Sequence, residues 1–355
     1  METYNNIIDK VETHFRSDLP FVLYSFPNQT TFKVLLQNSF QSDILKESQN
    51  GFIFKPFDDA QPTFFISEKL SEIYSGEIEM SPIEHLKNEF LENEEDHIRY
   101  LDLLEKTISK IRSTKISKIV ISREKELPIK TIDLVLLISN LLNLYPNAFR
   151  YIWFHPETGL WCGATPEILL EASDGIFKTM ALAGTRKVND IVKLRWTDKE
   201  FEEQQLVTDS ILENLDKITS YVKVSKTKTH RAGDLEHLRT DIEGAIRKNG
   251  KSFMDIAKAL HPTPAVCGRP RATAMEFIKA NENYNREFYT GFLGPVSQTS
   301  NSCNLFVNLR CLKFDKNKAL LYAGGGITEG SIPESEWIET HNKLDTMVKV
   351  LMPFL

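Results

Sequence analysis

The sequence is short of several things, and each shortage closes off a class of protein. Cysteine is scarce, with only Cys162, Cys267, Cys303 and Cys311. None stands in a CxxC pair, so neither a zinc site nor a disulfide framework is expected, and the four read as reduced thiols of a cytosolic protein. No stretch approaches the roughly 18 consecutive apolar residues of a membrane span. Basic charge is not in excess: 43 Lys and Arg against 49 Asp and Glu leave a net charge of −6. That balance argues against nucleic acid or an acidic membrane as the main partner. The start, Met1-Glu-Thr-Tyr-Asn-Asn, has neither the basic stretch nor the apolar core of a secretory signal, so a cytoplasmic location is expected. No internal repeat, low-complexity tract or Pro/Gly/Ser-rich linker divides the chain. The composition is that of a globular protein, 41% hydrophobic and 26% charged over 355 residues. That length suffices for one large domain or two smaller ones; with no boundary visible after residue 75, one domain over 1–355 is expected.

What is present is most concentrated near the end. Leu321-Tyr-Ala-Gly-Gly-Gly-Ile-Thr precedes Ser331-Ile-Pro-Glu-Ser-Glu-Trp-Ile-Glu-Thr-His-Asn-Lys343. The apolar run from Ala319 to Tyr322 predicts a strand. Gly324, Gly325 and Gly326 predict a loop that permits positive φ and close approach of a ligand. Ser331 and Pro333 predict a helix start, with Ser331 as its cap. On that helix Glu336, Glu339 and Lys343 share one face, suited to a divalent cation and an anion, although an ordinary solvated Glu–Lys face has the same spacing.

Upstream, residues 20–36 read as strands broken at Pro27-Asn28, and residues 81–112 as one long amphipathic helix whose acidic run Glu92 to Asp96 is its solvated side. A strand at 118–122 and an apolar helix at 131–144 follow. The middle is dense in strands, at 149–154, 160–162, 168–171 and 176–183, with turns at Gly159 and Asp174-Gly175. Helices are expected at 197–218, 252–260 and 271–281, and strands at 231–246 and 304–314, the last carrying Arg310. Hairpins mixed with long helices predict an α+β fold with large, mostly antiparallel sheets.

Several residues qualify for chemistry. Glu200 and Glu203 repeat the i, i+3 acidic pair of the last helix, and two such faces suit Mg²⁺, which takes carboxylate oxygens and keeps several waters. Lys118 opens a strand; in a low-dielectric pocket it would become a general base, in solvent merely an edge lysine. Glu167, in Gly163-Ala-Thr-Pro-Glu-Ile, would stay protonated in an apolar pocket and act as an acid. Ala183-Gly184-Thr185-Arg186 reads as a strand end with a glycine turn suited to an anion. His261-Pro-Thr-Pro-Ala-Val-Cys-Gly268 reads as a rigid wall. Arg310 suits a carboxylate, or a structural salt bridge.

Taken in order, Gly163-Ala-Thr-Pro-Glu167, Leu182-Ala-Gly-Thr185, His261 to Gly268, Arg286-Glu-Phe-Tyr-Thr-Gly291, Tyr322-Ala-Gly-Gly-Gly-Ile327 and Glu336-Trp-Ile-Glu-Thr340 resemble the chorismate-utilising enzymes, which include isochorismate, salicylate, anthranilate and aminodeoxychorismate synthases. The match runs from about residue 85 to the end; residues 1–80 are its weakest part. The resemblance implies packed antiparallel sheets with helices outside and a cleft between two halves. It implies water addition at C2 of chorismate, because Lys118 stands where ammonia-using relatives generally have glutamine, and Ala183 where aminodeoxychorismate synthases often have a lysine nucleophile. It implies Mg²⁺ held directly by Glu203 and Glu339 and through water by Glu200 and Glu336, with Lys118 as base and Glu167 as acid. It assigns Arg310 and Tyr289 to the enolpyruvyl carboxylate. Gly184, Thr185, Gly324, Gly326 and Lys343 fall at the ring-carboxylate end, His237, Ala265 and Val266 on the C4 side, and Leu309 among the substrate contacts. The implied activity is that of an isochorismate synthase, a monomer feeding menaquinone or siderophore biosynthesis. A salicylate synthase, which then eliminates pyruvate, shares the same lysine, acid and metal. Two departures stand out: Gln204 follows Glu203 where many relatives have histidine, and the 185–199 segment is short.

Overall fold

The computed structural model describes residues 3–39, 49–80, 92–187, 195–232, 235–247 and 251–355. Two antiparallel sheets, each of nine strands among the described residues, form the frame. The first runs, in spatial order, Gly268–Arg269, Lys118–Pro128, Lys318–Ile327, Cys311–Asp315, Gly159–Thr165, Phe149–His155, Phe21–Ser25, Thr31–Gln37 and Ser71–Glu77. The second runs Thr219–Val224, Leu235–Ile246, Ile176–Lys187, Ile168–Ser173, Ser302–Val307, Phe292–Ser297, Asn50–Lys55 and Phe64–Ser67, with Lys228–Ala232 also paired to Leu235–Ile246.

The sheets face each other across a layer rich in aromatics. Tyr24, Phe52, Phe54, Trp153, Trp161 and Phe306 lie there, and Phe54 stacks on Phe288 with ring centroids 4.1 Å apart. Each such buried side chain contributes about 1.5–3 kcal/mol of hydrophobic stabilisation. The helices cover the outer faces. Tyr4–Arg16, Leu134–Leu144 and Pro333–Leu351 bury Val11, Ile138 and Met347 against the first sheet. Asp198–Leu215 and Phe253–Leu260 bury Ile211 and Ile256 against the second. Glu94–Arg112 and Arg271–Asn281 close a smaller core over Ile119 and Ile121 of the Lys118 strand.

What positions the site is a double crossing. The chain leaves the first sheet at Thr165 and enters the second at Ile168; it leaves the second at Val307 and re-enters the first at Cys311. The crossings run side by side. The Val307 N–H donates to the Glu167 carbonyl at 2.9 Å, the Ala164 N–H to the Arg310 carbonyl at 3.0 Å, and the Thr165 hydroxyl to the Val307 carbonyl at 2.6 Å. Glu167 and Arg310 therefore stand together where the two sheets part.

This corrects the expected single strand at 304–314. Arg310 lies on no strand; its φ of 48° breaks the ladder, and alternation on either side hid a change of sheet. The three glycines are likewise no loop: they belong to Lys318–Ile327 and pair with Ser122, Ile121 and Val120. Crowding, not positive φ, explains them. The helix expected over 81–112 begins at Glu94, capped by Asn93, whose side chain accepts from the Glu95 N–H; residues 81–91 lie outside the described set. Glu92 is not solvated: it pairs with Arg123 at 2.6 Å, His341 at 2.9 Å and Lys125 at 3.4 Å. Ile332, not Ser331, occupies the cap position of the last helix. The helix Tyr4–Arg16 was not anticipated, nor were the strands between Asn50 and Glu77.

Candidate active site

Three structural units bring the site together. The first is the pair of central strands Lys118–Pro128 and Lys318–Ile327. Gly326 pairs with Val120, and a methyl added to Gly326 would land on the Lys118 side chain. A methyl on Gly325 would stand 2.8 Å from Glu336 Oε2, and one on Gly324 would stand 2.8 Å from the Ile121 carbonyl. The glycines thus clear space for Lys118 and Glu336 to lie over the strand. Gly326→Ala is expected to displace Lys118 and cut turnover at least about tenfold, as a misplacement of roughly 1 Å costs far more than its contact energy. Steady-state rates with a crystal structure of the variant check this; wild-type kcat with Lys118 unmoved would contradict it.

The second unit is the helix Pro333–Leu351. Glu336, Glu339 and Lys343 share its inner face as their spacing dictates. Lys343 donates to Glu339 Oε1 at 2.6 Å and to the Gly324 carbonyl at 2.7 Å. Arg310 donates to the Lys343 carbonyl and to Thr346 Oγ1, both at 3.1 Å, which anchors the crossing to the helix. Burial works to raise the Glu339 pKa, but Lys343, Lys118 and Arg310 outweigh it and hold the carboxyl below its ordinary value. Glu336 is pushed up by burial and by Glu339, against the Ser331 hydroxyl and the two lysines. Ser331, expected as a cap, instead donates to Glu336 Oε1 at 2.8 Å.

The third unit is the helix Asp198–Leu215 with the strand beside it. Glu203 meets Lys118 at 3.0 Å. Glu200 turns to its own helix end, where its Oε2 accepts from the Thr197 N–H at 2.7 Å. Gly184 is no strand end. The strand runs on to Lys187, with a bulge at Gly184 (φ 65°). The bulge turns the Gly184 carbonyl to His237 Nδ1 at 3.1 Å. A carbonyl only accepts, so Nδ1 carries the hydrogen. Burial lowers the His237 pKa. The structure describes the Thr185 backbone alone. Trp196, unremarked in the sequence, stands 3.4 Å from where a Gly184 methyl would be, and its indole donates to Thr229 at 2.8 Å.

Glu167 completes the set. Burial raises its pKa to about 7, against the opposing charges of Lys118 and Lys343. Those two lysines act on Glu167, Glu336 and Glu339 alike. The structure therefore gathers Lys118, Glu167, Glu203, Glu336, Glu339, Lys343 and Arg310 in one neighbourhood. Tyr289 is buried and feels the Arg310 charge. Val266 is buried in the second core, and Leu309 packs against the same core. Ala265 is half-buried beside Val266.

The donors suit a hard divalent cation in kind: the carboxylates come from two helices, Glu203 paired with Lys118 at 3.0 Å and Glu339 under the charges of Lys343 and Lys118. As placed, among the described residues, no three His, Cys, Asp or Glu side chains stand close enough to share one ion. Glu203 and Glu339 are held by lysines instead.

A cluster of cationic groups able to bind carboxylates, a carboxylic acid titrating near neutrality and a lysine among acids suits an enzyme for a small anionic substrate. The chain matches the model of the chorismate binding enzymes over residues 58–352 and belongs to that family. Among its relatives, the isochorismate synthase MenF of Pasteurella multocida is 28% identical over 326 residues, covering 87% of this chain and 74% of that protein. The isochorismate synthase DhbC of Bacillus subtilis is 30% identical over 271 residues, 71% of this chain and 67% of that one. The crystal structure of DhbC from Bacillus anthracis superposes with a TM-score of 0.77 at 25% identity, covering 96% of this chain and 99% of that one. The α+β fold with helices outside two large antiparallel sheets is thereby that of the family. Among the described residues, no helix is long and apolar enough to cross a membrane.

Proposed function

We propose that the protein is an isochorismate synthase acting on chorismate as a single-domain, cytoplasmic monomer. The observation that carries this reading is the pairing of Lys118 with a carboxylate together with a Glu167 buried enough to stay protonated up to about pH 7 and subject to the Lys118 charge. Lys118 takes a proton from water as the water oxygen bonds to C2. Both ring double bonds shift, C1=C2 to C1=C6 and C5=C6 to C4=C5, and the C4–O bond breaks, with Glu167 delivering its proton to the departing hydroxyl. One water enters and one leaves, so no oxidant or reductant is needed. Separate environments for base and acid allow both to work at one pH. Arg310 and Tyr289 bind the enolpyruvyl carboxylate, and Leu309 contacts substrate. Gly184, Thr185, Gly324, Gly326 and Lys343 line the ring-carboxylate end. His237, as a neutral donor to Gly184, and Ala265 with Val266 bound the C4 side.

Mg²⁺ would be held directly by Glu203 and Glu339 and through water by Glu200 and Glu336, and would supply positive charge for the ring carboxylate. Removing it with EDTA is expected to abolish turnover, with recovery on adding Mg²⁺.

Incubating the protein with chorismate and Mg²⁺ and separating the products by chromatography tests the reading. Isochorismate in equilibrium with chorismate, without pyruvate, is expected. Salicylate with equimolar pyruvate would replace the proposal with a salicylate synthase, and no turnover would overturn it.

A further inference from the structure

Against the strand that begins at Lys118 lies a buried ion pair that the proposed mechanism does not use. Glu282 and Arg286 have side chains only 2% exposed. Arg286 Nε donates to Glu282 Oε2 at 2.7 Å and Nη2 to Oε1 at 2.5 Å. Removing both charges from water is costly, and a pair of this kind survives only where further hydrogen bonds satisfy it. Here nearly every remaining bond goes to a segment that carries a site residue.

Arg286 Nη2 donates to the Val120 carbonyl at 2.7 Å. Glu282 Oε1 accepts from the Ser122 N–H and the Ser122 hydroxyl, each at 2.8 Å. Both contacts fall on the strand that begins at Lys118, within four residues of it. Arg286 Nη1 donates to the Val266 carbonyl at 2.9 Å, in the wall that precedes Gly268, and to Thr290 Oγ1 at 3.3 Å, next to Tyr289. Gly268, which ends the wall, pairs with Ile119 of the same strand. Phe57 lies against the guanidinium at 4.5 Å. A planar fork of five donors reaches two backbone carbonyls and the Thr290 hydroxyl at once; an ammonium on a flexible stem does not.

We propose that Arg286, locked by Glu282, is a positioning residue that sets Lys118, the Val266 wall and Tyr289 relative to one another. The proposal rests on the isochorismate synthase reading for the roles of those three groups. It predicts that disturbing the pair moves Lys118 without touching substrate.

Two variants test it: Arg286→Lys, which keeps the charge and loses the fork, and Ser122→Ala, which removes a single hydroxyl from the network and leaves the fold. Turnover of chorismate is expected to fall about 10–100-fold in kcat for Arg286→Lys and about 3–10-fold for Ser122→Ala, with KM within threefold of wild type. A second readout is independent of turnover. The rate at which Lys118 is acylated by an amine-reactive reagent, followed against pH by peptide mass mapping, should change at least threefold while distant lysines such as Lys349 keep theirs. Loss of thermal stability with unchanged Lys118 labelling and unchanged kcat per folded molecule would make the pair merely structural and overturn the proposal. If the wild-type chain fails to turn over chorismate, the functional reading falls, but the labelling still decides whether the pair positions Lys118. If Arg286→Lys does not fold, Ser122→Ala alone decides it.

Discussion

Lys118→Ala is expected to lower kcat by about 10²–10⁴-fold, the range typical of a lost general base, with little change in the fold. The side chain is half-buried at the start of its strand, and it donates to Glu203 at 3.0 Å. The strand itself is held by Ile119 and Ile121 in the core and by the ladder to Lys318–Ile327, none of which uses the ammonium. Truncation therefore leaves the core contacts and the ladder of the strand in place. Steady-state rates and thermal melts of the two proteins check this. Activity within tenfold of wild type would remove Lys118 from the role of base.

Glu167→Gln is expected to be nearly inactive, by a similar factor, and more stable than wild type at alkaline pH. Burial raises the Glu167 pKa from 4.5 to about 7. An acid raised in this way adds stability that is fully present below its unfolded value. That stability is lost as pH rises through about 7, where the folded state must hold a buried anion. Glutamine keeps the shape and never ionises, so the variant should gain relative to wild type above pH 7. At about 1.4 kcal/mol per unit the shift corresponds to roughly 3 kcal/mol, and the partial exposure of Glu167 reduces this to about 1–2 kcal/mol. The same titration governs wild-type catalysis. The acid must carry its proton in the free enzyme, so kcat/KM should fall as pH rises above about 7. A profile flat to pH 9, together with equal melting curves for the two proteins at pH 8, would contradict the assignment.

The family and the faces of the helices were more legible in the sequence than the tertiary geometry. Spacing alone put Glu336, Glu339 and Lys343 on one helical face, and they lie there. Helix boundaries with a strong period survived closely, as at Arg271–Asn281. What escaped was anything that depended on a change of sheet. Arg310 reads as one more residue of an alternating strand, because alternation continues on both sides of it. Only the positive φ at that residue and the partners of its carbonyl reveal that the chain has crossed. Glu92 reads as solvated because acids surround it in sequence, whereas Arg123, Lys125 and His341, which neutralise it, come from far along the chain. The glycines misled for a related reason. Three in a row suggest a flexible loop, but they are a strand stripped of side chains so that Lys118 and Glu336 can lie over it. The Glu282–Arg286 pair left only its i, i+4 spacing and the motif that Arg286 opens; its role escaped because its partners Val120, Ser122 and Val266 are gathered by tertiary structure alone.

The measurement that bears most directly on the account is turnover of chorismate with Mg²⁺ in water enriched in oxygen-18, with mass analysis of the isochorismate formed at early times. Water delivered to C2 under Lys118, with the 4-hydroxyl leaving under Glu167, predicts one heavy oxygen in each product molecule, located at C2. Isochorismate free of the label would mean that the original hydroxyl had migrated within the substrate, and would contradict the division of base and acid between Lys118 and Glu167.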